Sequence, residues 1–358
     1  GVWGDEAAGL WLGHRRLAIV DLTEAGAQPM ATADGQGHIS YNGEVYNAPA
    51  LRPELEQAGF AFRGHSDTEV IINGCRLWGV AETARRIWGM FAFAYWDRSE
   101  HKLWLVRDRL GKKPLYWFKQ GGSFAFASEL APLLLHPEAP REIDRDSVAE
   151  YLRTGYVAAP HSILGGIAKL EPGHLLCYSP DSGDIRIEPY WDLAEEVARA
   201  HANPFAGTPE EAVDEAERLL DDATRIRLMS DVPLGAFLSG GIDSSVVTAL
   251  MQRHSAGATR TFSIGYTNRD YDEGEDATRV AQHLGTDHTN FVLEPSDALA
   301  VVPELPRIFD EPFADASQIP TFMVSKLARA HVTVALTGDG GDEVFAGYNR
   351  HAAAGGLL

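Results

Sequence analysis

The sequence predicts an α+β layered region followed by an α/β doubly wound region with a parallel sheet. The length of 358 residues exceeds that of one ordinary domain and indicates two. Aromatic and β-branched runs separated by turn residues dominate the chain to about residue 193, which is typical of layered sheets. Beyond about residue 208, strand-like and helix-like segments alternate. Such alternation indicates a parallel sheet whose ligands bind beyond the carboxyl ends of its strands.

In the first region, we predict strands where β-branched and aromatic residues cluster, and helices where a capping residue precedes apolar periodicity. Ser66 and Asp67 cap the second helix, and Gln120-Gly121-Gly122 is a hairpin signal between the last two strands. The predicted strands are residues 10–21, 37–41, 90–96, 102–107, 115–119 and 123–127, and the predicted helices are residues 49–58 and 68–78.

A polar stretch, residues 194–208, is predicted to connect residues 1–193 to residues 209–358. In the second region the apolar residues first recur at spacings of three and four, which indicates a helix. The predicted strands there are residues 234–238, 261–264, 290–293 and 332–336, and the predicted helices are residues 210–229, 244–254, 277–284, 298–309 and 321–330.

The composition limits the classes of function. The 31 basic and 51 acidic residues give a formal net charge of −20. This charge argues against binding to nucleic acid or to an anionic membrane, where clustered Lys and Arg release counterions. A phosphate-bearing ligand would therefore be held by backbone amides and metal ions. No apolar run approaches the roughly 18 residues of a membrane span. The two cysteines, Cys75 and Cys177, form no CxxC pattern, which excludes a disulfide framework and favours a reducing cytoplasm.

Residues 238–245 (LSGGIDSS) lie where a predicted strand ends and a helix begins. Gly240 and Gly241 allow a tight turn that brings backbone amides to a ligand, and the helix N-terminus adds positive partial charge. A Walker A loop would have a Lys after its last Gly, so here Asp243 is the predicted magnesium ligand that neutralises pyrophosphate. The alternative is a plain strand–helix turn whose serines cap the helix. The hydroxyls that supply further donors are those of Ser239, Ser244 and Ser245.

A second glycine-rich segment, residues 336–348 (LTGDGGDEVFAGY), also follows a predicted strand. Its three carboxylates, Asp339, Asp342 and Glu343, repel one another unless a cation neutralises them. The alternative is a solvated acidic turn that opens a helix. Because both segments follow strands of one parallel sheet, we expect them to meet at the same sheet edge and clamp magnesium pyrophosphate.

The loop at residues 239–245 resembles that of ATP-pyrophosphatases, enzymes that cleave ATP between its α and β phosphates. Together with residues 337–348, 310–315 and 317–320, it resembles the asparagine synthetase family. The resemblance implies ATP and Mg²⁺ as ligands, with Asp243 and Asp342 on the metal. It also implies that Asp339, where some branches carry Glu, supports formation of β-aspartyl-adenylate, and that Tyr348 lies near the aspartate site. The implied adenosine contacts are Phe237, Ile264, Thr337 and Gly338.

Three segments of the first region, residues 14–21, 41–47 and 64–69, resemble the glutamine pocket of N-terminal-nucleophile amidotransferases. Arg16 offers a forked guanidinium to the glutamine α-carboxylate, although a single Arg is often only structural or solvated. The Asn42 side chain and the Gly43 amide are suitable donors to the oxyanion of the tetrahedral intermediate. The resemblance implies that Glu44 and Asp67 bind the α-ammonium. The implied glutamine-binding set is Arg16, Leu17, Ala18, Ile19, Val20, Asn42, Gly43, Glu44 and Asp67.

The nucleophile of that family is a cysteine at the mature N-terminus, whereas residue 1 here is Gly. We therefore expect the chain to be part of a longer protein, truncated at both ends, and unable by itself to hydrolyse glutamine. Residues 107–116 and 127–130 also match the family. On physical grounds alone, residues 107–116 are a basic turn.

The resemblance implies that the intact protein amidates aspartate to asparagine with glutamine as nitrogen donor. Its domains would be a glutamine amidotransferase domain at residues 1–193 and an asparagine synthetase domain at residues 209–358. One alternative is a relative that amidates a secondary metabolite or polysaccharide, or closes a β-lactam; another is a non-catalytic binding protein of this fold. The implied partners are glutamine, aspartate and ATP, without nucleic acid or membrane, and a homodimer is one compatible assembly.

Overall fold

The structure, a computed structural model, describes residues 1–266, 274–349 and 351 of the chain. In this part of the chain, antiparallel strands dominate the first half, and strands that alternate with helices dominate the second. The predicted succession of an α+β region and an α/β region is therefore confirmed. Among the same residues, no helix is both long enough and apolar enough to cross a lipid bilayer.

The chain divides into two compact units. Unit 1 comprises Gly1–Pro204 and Pro306–Ala314, and unit 2 comprises Phe205–Leu305 and Asp315–Leu358. The segment Pro306–Ala314 thus packs with unit 1, although its neighbours in the sequence belong to unit 2. No periodicity in the sequence indicates this assignment, because it depends on contacts between residues that are far apart along the chain.

Unit 1 contains eleven strands and six α-helices among its described residues. The strands are β1 (Val2–Asp5), β2 (Leu10–Gly13), β3 (Met30–Ala31), β4 (Gly37–Val45), β5 (Gly89–Asp97), β6 (Lys102–Arg107), β7 (Tyr116–Gln120), β8 (Ser123–Ala127), β9 (Ala168–Lys169), β10 (His174–Ser179) and β11 (Asp184–Pro189). The helices are α1 (Ala48–Gln57), α2 (Asp67–Leu77), α3 (Val80–Arg86), α4 (Leu130–Leu133), α5 (Arg145–Thr154) and α6 (Leu193–Ala202).

A six-stranded antiparallel sheet in the order β11-β10-β6-β5-β4-β3 forms the centre of unit 1. Strand β5 is buried on both faces because its alternate side chains enter two different apolar clusters. One cluster includes α1 and α2 and takes Phe91, Phe93 and Tyr95 from β5. The other includes the β1–β2 hairpin and takes Ala92, Ala94 and Trp96. A second sheet, in the order β8-β7-β9, and the β1–β2 hairpin complete the strands of the unit.

One local prediction for unit 1 needs correction. The strand predicted at residues 10–21 ends at Gly13, and Arg16 lies in the loop that follows. The Arg16 guanidinium donates to the carbonyls of Val20 and Asp21, both at 2.7 Å, so side-chain hydrogen bonds replace a strand ladder there. Most of the polar stretch, at residues 194–202, forms α6, which is capped by the Asp192 side chain. The connecting role of residues 194–208 stays a prediction.

The basic turn after β6 is organised by a buried carboxylate. Asp108 is 1% exposed and accepts hydrogen bonds from four backbone N–H groups. The donors are Phe91 (3.2 Å), Leu110 (3.1 Å), Lys112 (3.0 Å) and Lys113 (2.9 Å). Such a charge needs several donors to offset its desolvation. The hydrogen bonds to Asp108 therefore explain the shape of the turn, which its basic residues do not indicate.

Unit 2 carries a four-stranded parallel sheet. The strands are β12 (Leu234–Phe237), β13 (Arg260–Tyr266), β14 (Asp287–Leu293) and β15 (Val334–Leu336). The helices numbered from residue 209 onward are α7 (Pro209–Ile226), α8 (Ile242–His254), α9 (Gly274–Leu284), α10 (Pro295–Val301), α11 (Leu305–Ile308), α12 (Gln318–Ala328) and α13 (Gly341–Phe345), and α11 runs into the segment that packs with unit 1.

The strand order in unit 2 is β14-β13-β12-β15, with every neighbouring pair parallel. The chain moves outward from β12 to β14 and then returns to place β15 on the other side of β12. The order therefore reverses between β12 and β15. In doubly wound sheets, ligands bind at such a reversal, beyond the carboxyl ends of the two strands.

Candidate functional site

The loop after β12 turns sharply at a glycine. Gly240 has φ +82, and a Cβ built there would lie 2.8 Å from the backbone nitrogen of Ala277, at the start of α9. Only glycine combines that φ with so close an approach. Gly241 then caps α8 without a side-chain hydrogen bond. The first amides of this 13-residue helix thus lie at the loop, where an anion is favoured.

The three loop serines fold the loop on itself. Ser239 Oγ and Ser244 Oγ are 2.9 Å apart, and Ser239 Oγ accepts the Gly241 N–H at 3.2 Å. Ser245 Oγ donates to the Gly241 carbonyl at 2.6 Å. These bonds hold the loop in shape before any ligand arrives. The predicted role of the serines as phosphate donors stays a prediction.

The acidic loop after β15 is also organised by its own side chains. Thr337 Oγ1 donates to Asp339 Oδ2 at 2.9 Å and accepts the Asp339 N–H at 3.3 Å. Gly340 has φ +100 and caps the short helix α13, which begins with Gly341 and Asp342. Asp339 is exposed and therefore accessible to a ligand.

Next to α13, the Tyr348 hydroxyl donates to Glu343 Oε1 at 2.6 Å, and the Gly347 N–H donates to the Asp342 carbonyl at 3.0 Å. The Tyr348 ring also packs edge-on against His351, with ring centroids 5.4 Å apart. Tyr348 is thus anchored beside the acidic loop. Its predicted position near aspartate is compatible with this placement and stays a prediction.

The two loops meet at one edge of the parallel sheet of unit 2. A Cβ built on Gly338 would lie 2.7 Å from the backbone nitrogen of Ser244. A Cβ built on Gly341 would overlap the Asp243 carboxylate. Asp243 therefore lies beside the residue that precedes Asp342. Both contacts follow from the pairing of β12 with β15.

The residues present fit a magnesium–nucleotide site. The described residues include no group of three or more His, Cys, Asp or Glu side chains arranged to hold a metal. Mg²⁺ in nucleotide sites, however, uses one or two carboxylates and takes its other ligands from phosphate oxygens and water. Asp243 and Asp342, the residue after Gly341, are the two carboxylates predicted for this purpose. Their role as ligands stays a prediction.

The predicted adenosine contacts lie on strands of this sheet or directly after one of them. Phe237 ends β12, and Ile264 lies on the adjacent strand β13. Both are half-buried and pack against a cluster that includes Phe262 and Val324. Thr337 and Gly338 lie beyond β15, on the other side of β12. The fold brings the four residues to the end of the sheet where the loops meet.

In unit 1, Asp21 joins two of the segments predicted to form the glutamine pocket. Its Oδ1 accepts from the Thr23 N–H (3.1 Å) and hydroxyl (2.6 Å), and its Oδ2 accepts from the His65 N–H at 2.9 Å. Burial by itself raises the pKa of Asp21, but the hydrogen bonds from Thr23 and His65 outweigh it and lower the pKa below its ordinary value.

Asp67 ties β4 to the start of α2. It is 7% exposed, and its Oδ2 accepts from the Tyr41 hydroxyl at 2.7 Å and the Val45 N–H at 2.8 Å. Burial raises the pKa of the Asp67 carboxyl, and these hydrogen bonds offset part of the rise. Glu44, also on β4, is 5% exposed. Binding of a ligand ammonium by Glu44 and Asp67 stays a prediction.

The residues before Asp21 form an irregular loop. Arg16 is half-buried, and one of its nitrogens is engaged by backbone carbonyls within that loop. Leu17 is 63% exposed, and Ala18, Ile19 and Val20 are half-buried. The loop thus offers backbone groups and part of a guanidinium to a ligand. Contact of these residues with glutamine stays a prediction.

The predicted oxyanion donors lie on β4 and have a partner that the sequence did not indicate. Asn42 Nδ2 donates to Ser128 Oγ at 3.2 Å. Among the described residues, the second N–H of that amide has no protein acceptor. A Cβ on Gly43 would lie 2.7 Å from the Cα of Phe91, so β5 leaves no room for a side chain at this position of β4. In the sequence, Ser128 was indicated only by the resemblance of residues 127–130 to the family.

Two family sequence models match the chain. One, described as a glutamine amidotransferase domain, matches residues 1–191, and the other, described as asparagine synthase, matches residues 215–356. The second match therefore includes Pro306–Ala314, which packs with unit 1. Together the two matches cover most of both units.

Curated relatives resemble the chain over nearly its whole length. It is 36% identical over 349 residues to glutamine-hydrolyzing asparagine synthetase 1 of Bacillus subtilis. The aligned region covers 98% of this chain and 53% of that protein. It is 37% identical over 357 residues to a putative glutamine-hydrolyzing asparagine synthetase 2 of Methanocaldococcus jannaschii. Here the aligned region covers 95% of this chain and 67% of the relative. It is 32% identical over 361 residues to amidase chyE of Penicillium rubens, and the aligned region covers 96% of this chain and 52% of chyE.

The chain spans between 52% and 67% of the length of these relatives. The first family match lies within unit 1, and the second lies mainly within unit 2. The chain therefore belongs to the glutamine-hydrolysing asparagine synthetase family.

Proposed function

We propose that the native protein amidates aspartate to asparagine, with glutamine as nitrogen donor and ATP as the activating substrate. The observation that carries this proposal is the contact between the Asp243 loop and the loop of Asp339 and Asp342 at the reversal point of the parallel sheet. An anion-binding helix terminus beside carboxylates is what a magnesium–pyrophosphate group requires. The family membership supports the same assignment.

A free carboxylate is a poor acyl donor, so the reaction begins with its activation. An oxygen of the aspartate β-carboxylate attacks the α-phosphorus of ATP, and the bond from that phosphorus to the bridging oxygen breaks. Pyrophosphate leaves and β-aspartyl-AMP remains. Ammonia then attacks the acyl carbon, AMP departs and asparagine forms after loss of a proton.

In this proposal, the α8 N-terminus and the amides of Gly240 and Gly241 hold the phosphates. Asp243 and Asp342 hold Mg²⁺, which neutralises phosphate charge when bound. Asp339 supports adenylate formation, and Tyr348 lies at the aspartate. The loop serines Ser239, Ser244 and Ser245 add donors, and the adenosine lies against Phe237, Ile264, Thr337 and Gly338.

The glutamine site supplies the ammonia. Arg16 binds the α-carboxylate with the part of its guanidinium that does not donate to the loop carbonyls, and Glu44 and Asp67 bind the α-ammonium. The Asn42 amide and the Gly43 N–H donate to the oxyanion of the tetrahedral intermediate, where preorganised donors lower the barrier. The residues from Leu17 to Val20 line the glutamine.

Exchange of pyrophosphate into ATP, driven by aspartate in the native protein, tests the proposal. Exchange that requires both aspartate and Mg²⁺ is the expected result. A second candidate is amidation of another carboxylate, since one relative, amidase chyE, is named for an activity other than asparagine synthesis. Exchange with a different carboxylate but not with aspartate would favour that candidate. Absence of exchange with every carboxylate tried, despite magnesium-dependent ATP binding, would refute the ligase assignment.

A further inference from the structure

The segment Pro306–Ala314 places two acidic side chains in unit 1. Glu311 pairs with the Lys169 ammonium, and both side chains are nearly buried, at 11% and 12% exposure. Glu311 also accepts from the Tyr116 hydroxyl at 3.1 Å and from the Ile163 N–H at 2.7 Å. One carboxylate thus joins three parts of the unit around the β8-β7-β9 sheet.

The neighbouring acid, Asp310, holds the start of α4. Its Oδ2 accepts the Leu130 N–H at 2.7 Å, and its Oδ1 accepts the Ala131 N–H at 3.3 Å. These are N-terminal amides of the helix, which have no partner within it. Asp310 therefore fixes the chain two residues beyond Ser128.

Ser128 lies between the residues that Glu311 and Asp310 contact, Tyr116 and Leu130. It directly follows Ala127, which pairs with Tyr116 across β7 and β8. The Tyr116 hydroxyl is held by Glu311 on one side, and Asp310 holds the chain on the other. Ser128, Tyr116 and residues 308–313 also line one cavity of about 260 Å³.

The Ser128 hydroxyl accepts a hydrogen bond from Asn42 Nδ2 at 3.2 Å. This bond fixes the plane of the Asn42 amide. Useful oxyanion donors must lie within about 2.7–3.1 Å of the developing charge, and a displacement of about 1 Å can cost roughly 100-fold in rate. The position of Ser128 therefore bears on the predicted catalytic function of Asn42.

We propose that Asp310 and Glu311 are positioning residues of the glutamine site, which hold Ser128 where its hydroxyl orients the Asn42 amide. The proposal rests on the proposed function of Asn42 as an oxyanion donor. A nearly buried ion pair such as Glu311–Lys169 adds little net stability, because desolvation offsets the attraction between the charges. Its main physical effect is to fix geometry.

The test compares Glu311→Gln, Asp310→Ala and Ser128→Ala in the native protein. Each is expected to lower kcat for glutamine hydrolysis about 10-fold, with KM for glutamine changed less than about threefold, because an oxyanion donor acts in the transition state. Synthesis of asparagine from free ammonia should stay within about twofold of the wild type. Glu129→Gln is the matched control, because Glu129 lines the same cavity without a hydrogen bond to Ser128 or to the segment.

A double variant separates positioning from a general structural effect. If Glu311 acts through Ser128, Glu311→Gln combined with Ser128→Ala should be no slower than Ser128→Ala alone. The proposal would be overturned if the losses in kcat of the two single variants multiplied in the double variant. It would also be overturned if the variants changed only KM, if kcat were unchanged, or if Glu129→Gln lost as much kcat as the test variants. If Glu311→Gln does not fold, Asp310→Ala and its combination with Ser128→Ala decide the question by the same criteria.

The outcome for the wild type distinguishes the two proposals. A wild-type protein without glutaminase activity overturns the proposed function, and the positioning proposal with it. An active wild type with unaffected variants overturns only the positioning proposal.

Discussion

The carboxylate of Asp243 lies against the backbone of Gly341. A Cβ added to Gly341 would lie 2.9 Å from the Asp243 Cβ and would overlap the carboxylate itself. The two residues are far apart in the sequence and meet because β12 and β15 are neighbours. This contact brings two glycine-rich acidic loops to one place, and the proposed ATP chemistry depends on it.

Gly341→Ala is expected to lower aspartate-driven exchange of pyrophosphate into ATP at least about 10-fold, because the added methyl must displace the Asp243 carboxylate or the acidic loop. Gly257→Ala is the matched control, since a Cβ there meets nothing within 4 Å. Exchange assays on both variants, with thermal unfolding to confirm folding, check the expectation. A normal rate in Gly341→Ala would show that the contact is not needed.

Asp243→Asn is expected to lower the same exchange rate by about 100-fold or more, because it removes a charged group from the place where the pyrophosphate leaves. Glutaminase activity of the native protein should be unchanged. Asp214→Asn, on the exposed face of α7, is the control. Equal losses in both variants, or full activity in Asp243→Asn at saturating Mg²⁺, would contradict the role of Asp243.

Asn42→Asp is expected to lower kcat for glutamine hydrolysis about 100- to 1,000-fold, the usual effect of losing one oxyanion donor, with little change in KM. The replacement is isosteric but puts negative charge where the oxyanion forms. Steady-state kinetics in the native protein measure both constants, and ammonia-dependent synthesis serves as the internal control. A rise in KM at constant kcat would instead indicate a role in binding glutamine.

Asp108→Ala is expected to lower the free energy of unfolding of unit 1 by about 3 kcal/mol or more, because four backbone N–H groups lose a buried acceptor. Asp184→Ala, at an exposed position of β11, should change it by less than about 0.5 kcal/mol. Urea unfolding followed by circular dichroism measures both. Equal stability of the two variants would show that the turn does not depend on Asp108.

The pKa of Asp21 predicts a dependence of stability on pH. Because the pKa in the folded state is lower than in the unfolded chain, ionised Asp21 stabilises the fold above the unfolded pKa of about 3.9. That contribution is lost as the pH falls through the lower, folded pKa. The stability difference between the wild type and Asp21→Asn should therefore be nearly constant above about pH 5 and shrink as the pH falls below about 4. A difference that is constant with pH, measured by urea unfolding, would show that ionisation of Asp21 is not responsible.

Much of the fold could be predicted from the sequence because the deciding patterns are local. The strands at Lys102–Arg107 and Ser123–Ala127 have the predicted bounds, and the Ser66 side chain accepts the Thr68 N–H as a cap of α2. The prediction was wrong beyond Gly13, where an apolar run was followed by a loop held by Arg16 and Asp21. Side-chain hydrogen bonds to the backbone have no periodicity, so such a loop resembles a strand in the sequence.

The sequence by itself determined the two glycine-rich acidic loops, the alternation that makes the second sheet parallel, and the resemblance to a glutamine pocket. These follow from neighbouring residues, since turn geometry and amphipathic period are properties of short segments. Only the tertiary structure decided that β15 pairs with β12, so that Gly341 meets Asp243. It also decided that Asp310 and Glu311 pack with unit 1 and that Ser128 contacts Asn42. The choice of such partners depends on burial and hydrogen bonding across the whole molecule, which no local pattern contains.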